Sequence, residues 1–289
     1  MKLTESKLTR RSMLSGAAAA ATVAAAGQPG AAATKVVKNG RLRQSVCKWC
    51  YRDMSLEDLS TNAAAMGIAA IDLLTEEEWP VVKKHGLVCA VGSGVNPIPD
   101  GLNTKANHSQ IEANFRRLLP AAKANNVPNL ICFSGNRRNV SDEEAWENCA
   151  LLLNKVKGQA EDLGVTIIME LLNSKVNHKD YQCDKTAWGV ELVNRVNSPR
   201  FKLLYDIYHM QIMEGDVIRT IRDNKDAIAH YHTGGNPGRH EIDETQELNY
   251  KAIAQAIVDT GFQGYYAHEF IPTRDPMTSL REAVELCDV

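Results

Sequence analysis

Residues 141–173 have the sequence SDEEAWENCALLLNKVKGQAEDLGVTIIMELLN, which contains one helical pattern and one strand pattern. The helical part opens with Ser141 as an N-cap, has Glu144 three residues further on, and stops at Gly164. The part at 165–173 is a short apolar, β-branched run, which is typical of a buried strand. The stretch therefore predicts a helix followed by a strand, the repeating unit of an α/β fold.

The same alternation continues through the rest of the chain. Strands are predicted at 43–49, 69–74, 87–94, 129–135, 165–173, 201–209, 227–235 and 264–270. Eight such strand–helix units in roughly 255 residues match the count and size of a (β/α)8 TIM barrel. The main rival, a doubly wound open sheet, usually has a Gly-rich turn after its first strand, and no GxGxxG follows 43–49. We therefore predict a single α/β domain, a (β/α)8 barrel, over residues 34–289.

Residues 1–33 have the pattern of a signal peptide, although a disordered Ala-rich N-terminus is the alternative. A basic leader precedes an apolar core at 17–26, which is far shorter than the ~20 residues needed to span a bilayer. The pair Arg10-Arg11 resembles a twin-arginine signal. We therefore expect export, to the periplasm or beyond, and no stable membrane anchor.

The charge of the chain argues against a nucleic-acid partner. The formal charge is −2, and removal of residues 1–33, which hold four basic residues and one acidic residue, takes it to −5. Nonspecific nucleic-acid binding depends on clustered Lys and Arg that neutralise phosphates. The expected partner is therefore a small molecule, while the oligomeric state stays open, a homo-oligomer included.

Four ionisable residues lie near the ends of the last four predicted strands. They are Glu170, Asp206, His232 and Glu269, at spacings of about one strand–helix unit. Active sites of such barrels are built at the carboxyl ends of the strands, so one side chain from each strand would reach the mouth. Taken singly, each is explained as a salt-bridged carboxylate or a core histidine. As a set, three converging carboxylates need a positive charge, and oxygen-rich ligands with one imidazole favour Mn²⁺ or Mg²⁺.

Further residues near this set are candidate substrate contacts. His209 lies three residues after Asp206, at the rim, where it would touch substrate. Trp49 ends the first strand, where it would line the pocket floor, with simple packing as the alternative. His178 lies in the loop after the fifth strand, where a plain loop residue is equally expected. His230 has the same strand orientation as His232 but lies one layer deeper, so we expect it in the core.

The segments that carry these residues resemble the hydroxypyruvate isomerase family of the xylose-isomerase-like barrel superfamily, in particular an exported, twin-arginine branch of it. The resemblance runs from about residue 40 to the end and rests on ELLNSK, LLYDIYHMQIMEGD, GGNPGRHEID, TQELNY and HEFIPTRDP. It implies one divalent metal ion held by Glu170, Asp206, His232 and Glu269. It also implies that the two glutamates act as the acid/base pair.

One departure from that family bears on the substrate. The best-known hydroxypyruvate isomerases carry Gln where this chain has His232, whereas the epimerase relatives carry His. Asp206 with His209, and Arg239 after the third ligand, are also shared with the epimerases. His209 and Arg239 are therefore expected to stabilise an oxyanion or to bind a substrate carboxylate.

The predicted activity is a metal-dependent isomerase that moves a proton through an enediolate on a small hydroxy-keto acid or a ketose. One alternative is a ketose or keto-sugar epimerase or lyase of the same superfamily. Another is a catalytically silent sugar-binding barrel. An abasic-site endonuclease would need more metal-binding histidines and a basic face, and the sequence shows neither.

Overall fold

Eight parallel strands pair in sequence order and close into a barrel in the computed structural model, which describes residues 35–289. The predicted signal peptide, 1–33, lies outside the described residues. The strands are β1 (Arg43–Cys47), β2 (Ala70–Leu74), β3 (Val88–Gly92), β4 (Asn129–Cys132), β5 (Thr166–Glu170), β6 (Phe201–Asp206), β7 (Ile228–Thr233) and β8 (Tyr265–His268). The predicted (β/α)8 TIM barrel is confirmed.

Helices follow the strands and cover the outside of the barrel. Within residues 35–289 they are α1 (Leu56–Met66), α2 (Trp79–Lys84), α3 (His108–Asn125), α4 (Asp142–Leu163), α5 (Thr186–Val196), α6 (Ile207–Met213), α7 (Val217–Asp223), α8 (Tyr250–Asp259) and α9 (Pro276–Cys287). The predicted caps of α4 are confirmed: Ser141 Oγ accepts from Glu144 N, and Gly164 ends the helix with φ of 71°. No helix of the described part is long and apolar enough to cross a bilayer.

Several strands are shorter than predicted, and this changes where site residues lie. Strand β1 ends at Cys47, so Trp49 belongs to a short 3₁₀ turn and not to the strand end. Strand β6 ends at Asp206, whose carboxylate accepts from His209 N and so starts helix α6 directly. His209 therefore lies in the first turn of a helix. A local side-chain-to-backbone bond of this kind ends a strand that its apolar pattern would continue.

The barrel interior separates into an apolar layer and a polar layer. Val91, Ile131, Ile168 and Leu204 form a small buried cluster that is distinct from the larger core between strands and helices. Beyond this cluster, towards the carboxyl ends of the strands, lie the ionisable side chains of β5 to β8.

Candidate functional site

Four predicted site residues meet at the carboxyl ends of the last four strands. Glu170 and Asp206 are the last residues of β5 and β6. His232 pairs with Asp206 in the register of β6 and β7, and Glu269 directly follows β8. All four side chains are buried, and one donor atom from each lies within 4.8 Å of the others. The structure therefore brings the predicted ligand set together.

The imidazole of His232 lies among the carboxylates. Its Nδ1 atom is 2.6 Å from Glu269 Oε2 and 3.4 Å from Glu170 Oε1. In spite of these short distances, Nδ1 is buried and makes no hydrogen bond. A buried polar atom without a partner is costly, so such an atom usually has a role. Three carboxylates and a free imidazole nitrogen around one point form a donor set that fits a divalent cation.

The pKa shifts in the cluster show how strongly it attracts positive charge. Burial raises the pKa of Glu170, and it raises the pKa of Asp206 to about 7. Burial also acts to raise the pKa of Glu269, but Arg239, His232 and the hydrogen bond from Trp49 together outweigh it and lower the pKa. Burial acts to lower the pKa of His232, yet Glu269, Cys47 and Asp72 together raise it. Each group therefore depends on opposite charge nearby.

Arg239 supplies that positive charge from the loop after β7. Its Nη2 atom lies 2.9 Å from Asp206 Oδ2 and 2.5 Å from Glu269 Oε2. Its Nη1 atom donates to His209 Nε2 at 2.9 Å. The guanidinium carbon lies 5.3 Å from the centre of the Trp49 ring, a cation–π distance. Arg239 is thus held by the proposed metal ligands themselves.

The loop after β7 is tied to the segment after β8. Arg239 O accepts from Ile271 N at 2.7 Å, and Glu241 Oε1 accepts from Thr273 N at 2.8 Å. Gly235 allows the tight turn, since a Cβ there would lie 2.1 Å from the backbone oxygen of Glu241. These bonds fix the position from which Arg239 reaches the site.

A cavity of about 460 Å³ opens over the cluster. Its apolar wall consists of Leu73, Ile98, Phe133, Leu172 and Ile271, and its polar wall of Trp49, Glu170, Asn177, His178, Tyr208, Arg239 and Glu269. Trp49 Nε1 donates to Glu269 Oε1 at 2.6 Å. The cavity therefore combines a broad apolar surface with two glutamates of the cluster, as small-molecule sites do.

The predicted substrate contacts divide into two groups. Trp49, His178 and Arg239 line the cavity. His209 does not line it, because its ring is fully buried behind Arg239, with the His178 ring 5.2 Å away. Burial lowers the pKa of His209 well below its usual range, so the ring is neutral and accepts from Arg239. In this structure His209 orients Arg239.

Sequence analysis missed Asp72, which lies in β2 and is fully buried against the histidines of β7. Its Oδ2 atom is 2.6 Å from His230 Nε2 and 3.4 Å from His232 Nε2. Burial acts to raise the pKa of Asp72, but His230 and His232 outweigh it and lower the pKa to about 2. The signal was present: Asp72 interrupts the apolar run AAIDLL, as Glu170 interrupts its own strand.

Comparison with known proteins places the chain in a family. The family described as the xylose isomerase-like TIM barrel matches residues 62–288. The chain belongs to this family.

Individual relatives match at modest identity. The 2-oxo-tetronate isomerase of Pectobacterium atrosepticum is 24% identical over 242 residues, which cover 77% of this chain and 88% of that protein. The hydroxypyruvate isomerase of Escherichia coli K12 is 32% identical over 114 residues, which cover 38% of this chain and 44% of that protein. The proteins described as putative hydroxypyruvate isomerases of Xenopus laevis and Homo sapiens are 30% and 28% identical, over 43% and 39% of this chain. The chain spans less than half the length of these two relatives and of the Escherichia coli protein.

Solved structures share the fold at low identity. A Brucella melitensis protein described as AP endonuclease, family 2, has a TM-score of 0.74 at 22% identity over 83% of this chain and 97% of that chain. The 3-keto-D-glucoside 4-epimerase of Escherichia coli has a TM-score of 0.69 at 17% identity over 84% and 97%. The IolI protein with a bound zinc atom has a TM-score of 0.66 at 16% identity over 85% and 95%. At these identities the similarity shows the fold alone.

Proposed function

We propose that this protein is a metal-dependent isomerase of a small hydroxy-carbonyl compound derived from a sugar. The observation that carries the proposal is the cluster of Glu170, Asp206, His232 and Glu269 at the base of the cavity, with a free Nδ1 on the histidine. These residues would hold one divalent ion, Mn²⁺ or Mg²⁺ by the oxygen-rich donor set. The names of the two bacterial relatives, and the zinc in the IolI structure, support the same reading.

A divalent ion there would supply Lewis-acid polarisation of a carbonyl and its neighbouring hydroxyl, which acidifies the C–H between them. The protein supplies the proton transfers. Glu269 is held ionised by donors from Trp49 and Arg239, whereas burial raises the pKa of Glu170. A raised pKa makes a carboxylate a stronger base, and Glu170 lines the cavity with no such donor in contact among the described residues, so Glu170 takes the proton. Return of a proton to the adjacent carbon completes the isomerisation.

The decisive experiment measures the exchange of substrate hydrogen for deuterium in D₂O with Mn²⁺ added. The substrates tested are hydroxypyruvate, 2-oxo-tetronate and ketoses. Glu170→Gln keeps the size of the side chain but cannot accept the proton. Exchange into substrate should fall by about 10²–10⁴-fold. Glu143→Gln, which changes an exposed carboxylate paired with Arg195, is the matched control and should exchange at the wild-type rate. Wild-type exchange in Glu170→Gln would contradict the assignment.

A second candidate, an epimerase of neutral ketoses or keto sugars, is favoured by the charges in the cavity. Among the described residues that line it, Arg239 is the one cation, and Asp206 and Glu269 already engage it. With a divalent ion bound, the charges of the ion, the three carboxylates and Arg239 add up to zero. No positive charge would then remain to bind a substrate carboxylate. The 3-keto-D-glucoside 4-epimerase with this fold is consistent with such a substrate.

Product analysis separates the two candidates. An isomerase returns the proton to the neighbouring carbon and converts an aldehyde into a ketone or the reverse. An epimerase returns it to the opposite face of the same carbon. A silent sugar-binding barrel would show neither product and no Mn²⁺ binding by calorimetry.

Export is also part of the proposal, on the basis of residues 1–33 alone. Replacement of Arg10 and Arg11 by Lys should keep the protein in the cytoplasm, as measured by fractionation. Wild-type export of that variant would rule out the twin-arginine route.

A further inference from the structure

Asp72 and His230 form a buried pair directly beneath the proposed metal site. Both side chains are fully buried, and Asp72 Oδ2 lies 2.6 Å from His230 Nε2. The same oxygen lies 3.4 Å from Nε2 of His232, with which it forms a hydrogen bond. One carboxylate oxygen therefore lies between a core histidine and the histidine of the ligand set.

The backbone of β2 is distorted at the point where Asp72 enters the barrel. The register with β3 shifts on both sides of Asp72, and Leu73 has a φ of +64° inside the strand. A branched residue in the left-handed region is strained and persists only where its surroundings impose it. The irregularity lets Asp72 face the histidines while Leu73 lines the cavity. The fold thus maintains a strained strand at this position.

The two nitrogens of the His232 ring face opposite groups. Nδ1 faces Glu170 and Glu269, whereas Nε2 faces Asp72 at 3.4 Å and the Cys47 thiol at 3.9 Å. An ionised carboxylate only accepts hydrogen bonds, and carboxylates face both nitrogens of this ring. A divalent ion held by Glu170 and Glu269 would exclude a proton from Nδ1, whereas Asp72 would keep the proton on Nε2. That tautomer leaves the lone pair of Nδ1 directed at the other ligands.

We propose that Asp72 is a positioning residue that fixes the tautomer and orientation of His232, so that Nδ1 is the metal ligand, with His230 holding Asp72 in place. The inference rests on the proposed metal site. Carboxylates that hold a ligating histidine in this way raise its basicity and fix its ring orientation. Asp72 then acts on the metal through His232 and touches neither metal nor substrate.

A second metal ion shared by Asp72, His230 and His232 is the competing explanation, since their donor atoms also lie within 4.8 Å. The donor chemistry of His232 favours the positioning role. Two ions that share His232 would need both of its ring nitrogens as acceptors, whereas a neutral imidazole offers one acceptor and one donor. Nδ1 faces the cluster with three carboxylates, so its lone pair serves that cluster and the Nε2 proton is left for Asp72.

The test is a Co²⁺ titration of three proteins, measured by the visible absorption of the bound ion. The proteins are the wild type, Asp72→Asn and Ser45→Ala. The amide of Asp72→Asn keeps the shape but can donate to Nε2, which favours the tautomer that cannot bind metal through Nδ1. We expect one ion per wild-type chain, a dissociation constant 10–100-fold weaker in Asp72→Asn, and an altered spectrum. Ser45→Ala removes another fully buried polar group, whose Oγ has no hydrogen-bond partner, and should leave affinity and spectrum unchanged.

A measurement on the wild-type protein covers the case in which Asp72→Asn does not fold. In the Zn²⁺-loaded protein with ¹⁵N-labelled histidine, His232 should show a solvent-protected proton on Nε2 and a metal-bound Nδ1. Three results would each overturn the inference and leave the proposed function intact. They are metal bound through Nε2, an unchanged spectrum and affinity in Asp72→Asn, and two ions per wild-type chain. A wild-type protein that binds no metal would overturn both.

Discussion

Removal of the Arg239 charge should destabilise the metal-free protein and at the same time strengthen its binding of metal. Arg239→Met keeps much of the apolar stem but leaves Asp206 and Glu269 without the guanidinium that lies 2.9 Å and 2.5 Å from them. Breaking one side of a buried ion pair costs about 3–5 kcal/mol, because the remaining charge is uncompensated. The perturbation therefore acts on the electrostatics of the ligand cluster more than on packing.

The expected magnitude follows from the size of the domain. A chain of this length changes its unfolding midpoint by roughly 2–4 °C per kcal/mol, which gives a decrease of about 6–20 °C. Asp206 can take up a proton in response, since burial already raises its pKa to about 7. We therefore expect the lower half of that range, about 6–13 °C, in metal-free buffer at pH 7.

Calorimetry with and without Mn²⁺ measures both effects. Arg239 competes with a metal ion for the same oxygens, so the Mn²⁺-induced increase of the midpoint should be larger in Arg239→Met than in the wild-type protein. Arg219→Met is the control, because Arg219 forms an ion pair with Asp216 at the surface and should barely change either midpoint. A metal-free midpoint equal to that of the wild type, or an equal Mn²⁺ shift, would refute the reasoning.

Three further predictions concern other parts of the structure. Trp49→Phe removes the indole N–H that donates to Glu269 Oε1, a charge-assisted hydrogen bond worth about 1.5–3 kcal/mol. We therefore expect kcat/KM to fall about 10–100-fold. Unchanged initial rates would exclude a catalytic role for this bond. Burial acts to raise the pKa of Glu241, but hydrogen bonds from Thr273 and others lower it to about 2. Because the unfolded pKa is about 4.3, Glu241 stabilises the fold above that pH, and this stability is lost as the pH falls towards 2. Glu241→Gln should therefore lose less stability than the wild type as the pH falls from about 4.3 to 2. An equal loss of stability in the two proteins over this pH range would contradict the assignment. Ser141→Ala removes the N-cap of α4 and should cost about 0.5–2 kcal/mol in urea unfolding with activity unchanged; a loss of activity in the folded variant would be inconsistent with a purely local role.

The fold and the four converging residues could be predicted because they depend on local patterns. Strand and helix periodicity sets the barrel, and a carboxylate at the end of an apolar strand marks the mouth. Glu170, Asp206 and Glu269 carry that signal, His232 lies at the corresponding strand end, and the four meet in the structure.

Other features depend on tertiary structure, even where the sequence holds a local signal such as the interruption of the apolar run AAIDLL by Asp72. The inward position of Asp72 depends on the register shifts between β2 and β3, which no periodicity of one strand can show. The end of β6 depends on the Asp206 carboxylate capping the next helix. The ion pairs of Arg239 depend on a loop fold that is fixed by bonds to the segment after β8.

The bonds between the loops after β7 and β8 constrain how this protein can change over evolution. Ile271 N donates to Arg239 O, and Thr273 N donates to Glu241, so an insertion in either loop would displace Arg239. The opposite wall is tied in the same way, because Asn136 N donates to Pro99 O and Gln182 N donates to Gly135 O, which joins the loops after β3, β4 and β5. Each half of the rim is therefore inherited as one unit, and a new substrate would be accommodated by changes within one half at a time.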